Sequence, residues 1–128
     1  MSDDELIESD LTYSAIGAFF EVYNTLGYGF LEHIYSRAME LELKARGHRV
    51  AREVLVRVFY KGHLIGLHRL DMVVDEVLVL ENKSTRVLHK EFPRQVYNYL
   101  KASTFEIALL LHFGPEPAFY RLFSPNKE

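Results

Sequence analysis

The sequence predicts a mixed α/β domain, an α+β sheet flanked by helices. Three observations predict it. Apolar residues recur at helical spacing as far as Gly47 and alternate with period two beyond it. One amphipathic helix then separates a group of three strands from a strongly apolar strand, which is the pattern of a crossover connection. The chain has 128 residues, 48% of them hydrophobic, which is enough to close a single core.

The elements follow in order. An acidic flexible tail is expected over residues 1–9, and one domain over 10–128. Asp10 can cap a helix whose apolar face is Leu11, Ala15, Ala18, Phe19, Val22 and Leu26, and Gly27 stops it. Tyr28-Gly29 is a tight connector. A second helix runs over about 31–46, with Leu31, Ile34, Tyr35, Ala38, Leu41 and Ala45 on one face, and Gly47 ends it. Val54, Val56, Val58 and Tyr60 alternate with other residues as a strand over 54–60. Lys61-Gly62-His63 is a turn. Strands over 64–74 and 77–83 follow, broken by Asp75-Glu76. Residues 84–91 are a polar loop. Pro93 suits the first turn of the crossover helix. Residues 105–113 are a buried strand, and 118–123 an edge strand after the Gly114-Pro115 turn.

Composition excludes several chemistries. There is no cysteine, so disulfides, thiolate nucleophiles and zinc fingers are ruled out. No apolar run reaches the ~18 residues of a membrane span, and the acidic start is unlike a signal peptide. A cytoplasmic protein without a membrane partner is expected. No phosphate-loop or dinucleotide motif occurs, and the six histidines lack metal-ligand spacing. The net charge of −3 is unevenly placed: Asp3, Asp4, Glu5, Glu8 and Asp10 crowd the first ten residues. Lys83, Arg86, Lys90, Arg94 and Lys101 face only Glu91 between positions 83 and 101. Such a cluster is either a solvated face or a phosphate-facing surface.

The chemistry-bearing residues are carboxylates inside apolar strands. Asp71 precedes Met72-Val73-Val74, and Glu81-Asn82-Lys83 follows Val77-Leu78-Val79-Leu80. A carboxylate in such a strand is costly unless it is paired or binds a metal. Glu81 and Lys83 share a strand face. A three-residue connection pairs Val74 with Leu78 and brings Asp71 opposite Glu81 on the same face; a two-residue one separates them. Paired carboxylates make an oxygen pocket for Mg²⁺ or Mn²⁺, one ion or two, which can polarise a phosphoryl oxygen and acidify a water. The alternative is a structural Glu–Lys–Asp salt-bridge set. Glu32 lies in the first turn of its helix, where a carboxylate also suits the dipole. Gln95 and Tyr99 are one turn apart on the crossover helix.

Gly29-Phe30-Leu31-Glu32-His33-Ile34-Tyr35 matches Gly-x-x-Glu-x-x-Tyr. The chain resembles the GxxExxY family, a branch of the PD-(D/E)XK nuclease-like superfamily. The resemblance runs from about position 11 to 113 and includes Asp71, Glu81-Asn82-Lys83 and Gln95-x-x-x-Tyr99. Leu70 stands where the superfamily motif has proline. The resemblance implies a restriction-endonuclease-like α-β-β-β-α-β core with an extra N-terminal helix and a C-terminal edge strand. It implies Asp71 and Glu81 as metal ligands, with Glu32 and the Asn82 backbone carbonyl as further oxygens. Lys83 would be the motif lysine. Gln95 would bond near the site, with Tyr99, Gly29 and Tyr35 in support.

The expected function is therefore a Mg²⁺- or Mn²⁺-dependent nuclease acting on nucleic acid, DNA ahead of RNA. Arg86, Lys90, Arg94 and Lys101 would position phosphates. A partner protein or a homodimer would supply specificity. The alternatives are a catalytically silent nucleic-acid- or protein-binding module of the same fold, and a structural homodimer joined through its last strand.

Overall fold

The computed structural model describes residues 8–125 and 127. Its elements are α1 (Ser9–Leu26), α2 (Glu32–Ala45), β1 (Val50–Tyr60), β2 (His63–Val74), β3 (Leu78–Lys83), α3 (Glu91–Ala102), β4 (Ile107–Phe113) and β5 (Pro117–Phe123). The five strands form one sheet in the order β1-β2-β3-β4-β5. β3 and β4 are parallel, joined by the α3 crossover, and the other neighbours are antiparallel. This is the mixed α/β sheet that the sequence predicts, with β5 at one edge.

α1 buries the expected stripe of Leu11, Ala15, Ala18, Phe19 and Val22. Its start differs from expectation. Most of the acidic tail, residues 1–7, lies outside the described residues, and Ser9 is already helical. Glu8 takes the cap position with φ 51 and no side-chain cap, so Asp10 sits inside the first turn, where its charge favours the helix dipole.

α2 shows the largest departure. Its buried residues are Tyr35, Ser36, Met39 and Leu43. Leu31 and Leu41, expected on the core face, are 70% and 54% exposed. The inward face is the stripe of Tyr35, Met39 and Leu43, each fully buried, and Ser36 beside it finds a partner in the core. The Asn82 amide nitrogen of β3 donates to the Ser36 hydroxyl at 3.1 Å. Glu32, one turn before Ser36, is thereby carried to the inward side. The helix ends as expected at Gly47, whose φ is +91. His48 N–H returns to the Leu43 carbonyl and Gly47 N–H to the Lys44 carbonyl, each at 3.0 Å. Glu40 then joins α2 to β1: it accepts from Lys44, Arg37 and Arg52, which hold its pKa down to about 2.

All seven residues of β4 are buried. That explains its unbroken apolar run: a central strand covered on both faces has no polar side to alternate with. Phe19, Tyr35, Met39, Leu80 and Leu109 fill the space under α1 and α2. Val79, Val96, Leu100 and Leu110 fill the space under α3. β1 begins four residues earlier than expected, at Val50, because it stays paired with β2 as far as Val74. No helix among the described residues is long and apolar enough to cross a membrane.

Candidate active site

The connection between β2 and β3 decides whether a site exists. Val74 pairs with Leu78, so the loop is the three residues 75–77. Asp75 and Glu76 adopt left-handed backbone, φ 52 and 63, and Val77 N–H closes on the Val74 carbonyl at 3.0 Å. The register then runs through Met72 opposite Leu80 and brings Asp71 level with Glu81.

At that level the backbone ladder stops and the carboxylates take its place. Asp71 Oδ2 accepts the Asn82 N–H at 2.7 Å. Glu81 Oε1 accepts the Asp71 N–H at 3.4 Å. Across β1 the pairing is interrupted too. Arg52 pairs with Met72 and Val54 with Leu70, while Glu53 between them has φ 56 and no partner. Asp71 is therefore free of the ladder on both sides. Its neighbours show the same break. Leu70 and Val73 both pack under α3, although strict alternation would part them.

Glu32 reaches the site through a tied turn. Gly27 and Gly29 have φ +73 and +115, which lets the chain reverse between α1 and α2. The buried Tyr35 hydroxyl donates to the Gly27 carbonyl and accepts the Phe30 N–H at 3.2 Å. Its ring stacks on Phe113 of β4, with centroids 4.2 Å apart. The tyrosine of the Gly-x-x-Glu-x-x-Tyr motif is thus a clamp that fixes where the glutamate leaves the turn. Just past the end of β3, the Ser84 hydroxyl donates to the Phe30 carbonyl, and the Ser84 N–H to the Glu32 carboxylate. Tyr35→Phe is expected to lower unfolding free energy by about 1–2 kcal/mol, since it removes two partly buried hydrogen bonds that tie the turn. Urea unfolding measures this.

The electrostatics are those of crowded carboxylates with one nearby cation. Burial pushes the Glu81 carboxyl above its usual range, and the Asp71 charge adds to this, against opposition from His68 and Lys83. Burial likewise raises Glu32, with Asp71 again adding; Lys83 and the Ser84 N–H oppose it. Lys83 makes no ion pair with Glu32, Asp71 or Glu81 among the described residues. Its Nζ lies 5.0 Å from the centre of the Phe92 ring at the start of α3.

The remaining predicted residues are placed unequally. Tyr99 stacks on His68, with centroids 3.7 Å apart and planes 7° apart, and His68 Nε2 lies 3.4 Å from Glu81 Oε1. Tyr99 thus supports Glu81 through His68. Gln95 is exposed on α3 and bonds to none of the carboxylates among the described residues. Arg86, Lys90 and Arg94 are exposed around the start of α3. Lys101 is exposed toward the other end of α3, two turns or about 10 Å beyond Arg94.

Sequence reasoning missed His68, Ser36 and the Asn82 side chain. Strict alternation puts His68, three residues before Asp71, on the opposite face, and it reaches Glu81 only because the strand pairing breaks at Asp71, which the sequence does not mark. Ser36 and the Asn82 amide had no signal, because their pairing joins a helix to a strand 46 positions away.

The donor set suits a hard divalent cation. Asp71 Oδ1 and Glu81 Oε2 bear no hydrogen bond among the described residues; the buried Asn82 Oδ1 also lacks a partner but lies on the other strand face, toward Ser36. Three carboxylates that repel one another have more negative charge than Lys83 offsets. Oxygen donors of this kind favour Mg²⁺ or Mn²⁺. The side chains are not drawn into a closed ligand shell: among the described residues no three Asp, Glu or His gather tightly enough to hold an ion.

The search of curated proteins finds no match. The crystal structure of SSO0001 is similar at 21% identity with a TM-score of 0.58, over 96% of this chain and 62% of that one. This chain thus spans about three fifths of that protein, and the likeness is one of fold. Residues 9–122 match the PD-(D/E)XK nuclease superfamily. Nearly the whole chain, with the paired strands and the crossover helix just described, belongs to the PD-(D/E)XK nuclease superfamily.

Proposed function

We propose that the protein is a divalent-metal-dependent nuclease of the GxxExxY branch, hydrolysing phosphodiester bonds of nucleic acid in the cytoplasm. One observation carries this reading. Asp71 and Glu81 stand level on neighbouring strands, with Lys83 two residues on and not tied to either by an ion pair. A structural salt-bridge set would have closed that lysine onto its acids. Asp71, Glu81 and Glu32 would hold the ion, with the Asn82 carbonyl as a further oxygen. Such an ion, when bound, supplies charge against the phosphate and lowers the pKa of a water. Lys83 would orient the water or meet the charge that develops on the phosphate. Arg86, Lys90 and Arg94 would seat the neighbouring phosphates, and Lys101 a more distant one. Gln95 would touch the nucleic acid from α3. DNA ranks ahead of RNA as substrate, with a partner protein or a second copy supplying target choice.

The test is direct. Purified protein with Mn²⁺ is expected to cut at least one of single-stranded, duplex or branched DNA, or RNA. Failure on all four substrates in both Mg²⁺ and Mn²⁺ removes the enzymatic reading. It would leave a silent binding module of the same fold.

A further inference from the structure

The β1–β2 hairpin outruns the sheet. β2 has no β3 partner before Met72, yet its ladder with β1 continues to Tyr60 opposite His63. The overhang passes the end of β3 that bears Glu81 and Lys83. His68, on this arm, is the residue that reaches Glu81. From His68 to His63 the strand covers five residues, about 17 Å. Lys61 and Gly62, with φ 49 and 82, close the tip tightly, so the arm is a defined two-stranded ribbon.

Its surface is unlike that of a solvated hairpin. Residues 55–70 contain Arg57, Lys61 and Arg69 and no acidic residue. Phe59 and Tyr60 are each 59% exposed and Ile65 63%. Lys61 Nζ lies 5.3 Å from the Tyr60 ring centre. Arg69 has a long exposed contact with Glu53 at 3.8 Å; Arg57 and Lys61 have no ion pair among the described residues. Exposed Phe59 and Tyr60 beside the cations Arg57 and Lys61 suit planar, apolar faces carried on a polyanion, with Leu55, Leu64, Ile65 and Leu67 adding aliphatic surface along the arm. A duplex keeps its base faces stacked inside, so the rings can engage only unpaired bases.

We propose that the free end of the β1–β2 hairpin is an arm that binds single-stranded nucleic acid beside the active site, through Phe59, Tyr60, Arg57 and Lys61. The proposal rests on the nuclease reading for its direction: a strand leaving the carboxylates runs along the arm. The overhang of about 17 Å is long enough to hold a short run of unpaired nucleotides. The arm therefore selects substrates with an unpaired segment next to the cleaved bond.

Binding in EDTA tests it without turnover. Fluorescence anisotropy compares a labelled 20-nucleotide single strand with a blunt duplex on the full chain. Phe59→Ala and Tyr60→Ala are expected to weaken single-strand binding ~5- to 100-fold, with under about 2-fold change on the duplex. Arg57→Gln with Lys61→Gln should make the salt dependence shallower by about 1.4 in log–log slope. All four side chains are exposed, and a thermal melt checks that each variant stays folded. Unchanged single-strand affinity in the two aromatic variants overturns the arm. So does a wild-type dimer, seen by light scattering, that Phe59→Ala splits without touching DNA binding, because the patch then serves a second copy. Vesicle binding lost in Phe59→Ala while oligonucleotide binding persists overturns it as well. The nuclease reading fails separately. An inactive protein whose binding still depends on Phe59 keeps the arm; an active one whose binding ignores Phe59 loses only the arm.

Discussion

Glu81→Ala and Lys83→Ala are each expected to cut cleavage by at least about 100-fold while leaving the protein folded. The two losses have different causes. Glu81 is almost fully buried and its carboxylate lies at the Asp71 backbone, so its removal takes away a donor and frees Asp71 to shift. Lys83 is held over Phe92, clear of the acids, so its removal takes away a cation without disturbing a structural pair. Rates under single-turnover conditions, with far-UV circular dichroism as the folding control, separate chemistry from binding. Asp71→Ala is a less clean test, because Asp71 also caps the Asn82 N–H and its loss disturbs the strand pairing. If Lys83→Ala cuts at the wild-type rate, Lys83 has no part in the chemistry. If Glu81→Ala does so, the paired-carboxylate site is not where hydrolysis occurs.

The second large effect is on stability, and it needs no substrate. Glu81 and Glu32 have folded pKa values raised above 4.5 by burial and by the Asp71 charge. A raised carboxylate contributes stability that is fully present below its unfolded pKa and is lost as pH rises through the folded value. The metal-free protein should therefore melt at lower temperature at pH 8 than near pH 5. Glu81→Gln should flatten this trend and raise Tm at pH 8, since it removes a buried charge. The acid side follows the opposite sign. Glu40 and Asp75 are lowered, so their contribution is lost as pH falls, for Glu40 through about 2. Mn²⁺ at 100 times its Kd should raise Tm at pH 8 by about 8 °C in the wild type. Glu81→Gln should abolish most of that rise. Scanning calorimetry across pH, with and without Mn²⁺, reads both effects. A Tm indifferent to Mn²⁺ and Mg²⁺ at every pH would remove the cation from the proposal.

Much of this site was legible in one dimension because strand pairing is arithmetic. Once residues 75–77 are a three-residue loop, Asp71 and Glu81 must align, and the alternation of side chains sets Lys83 beside Glu81. The loop length itself was not legible. Asp75-Glu76 marks a turn, but only the left-handed backbone of both residues, with Val77 bonded to Val74, makes it three residues long. α2 was misread for a related reason. Leu31, Ile34 and Leu41 compete with Tyr35, Met39 and Leu43 as an apolar stripe; the second is the one that is buried, and it carries Ser36 in to Asn82. Apolar periodicity records burial and is silent about a polar pair that closes across the core.

What the sequence determined alone was the element order, the mixed sheet, the fully buried β4 and the three carboxylates as candidates. Each follows from local spacing, which folding can only confirm or break. What the tertiary structure decided was their use. It rotated α2 so that Glu32 faces the strands, stopped the ladder at Met72 and Leu80 so that Asp71 and Glu81 meet as side chains, and drew His68 in as their neighbour. The physical reason is the same throughout. Periodicity fixes directions within an element, whereas distances between elements are set by how buried side chains from different elements pack and by which buried polar groups find partners.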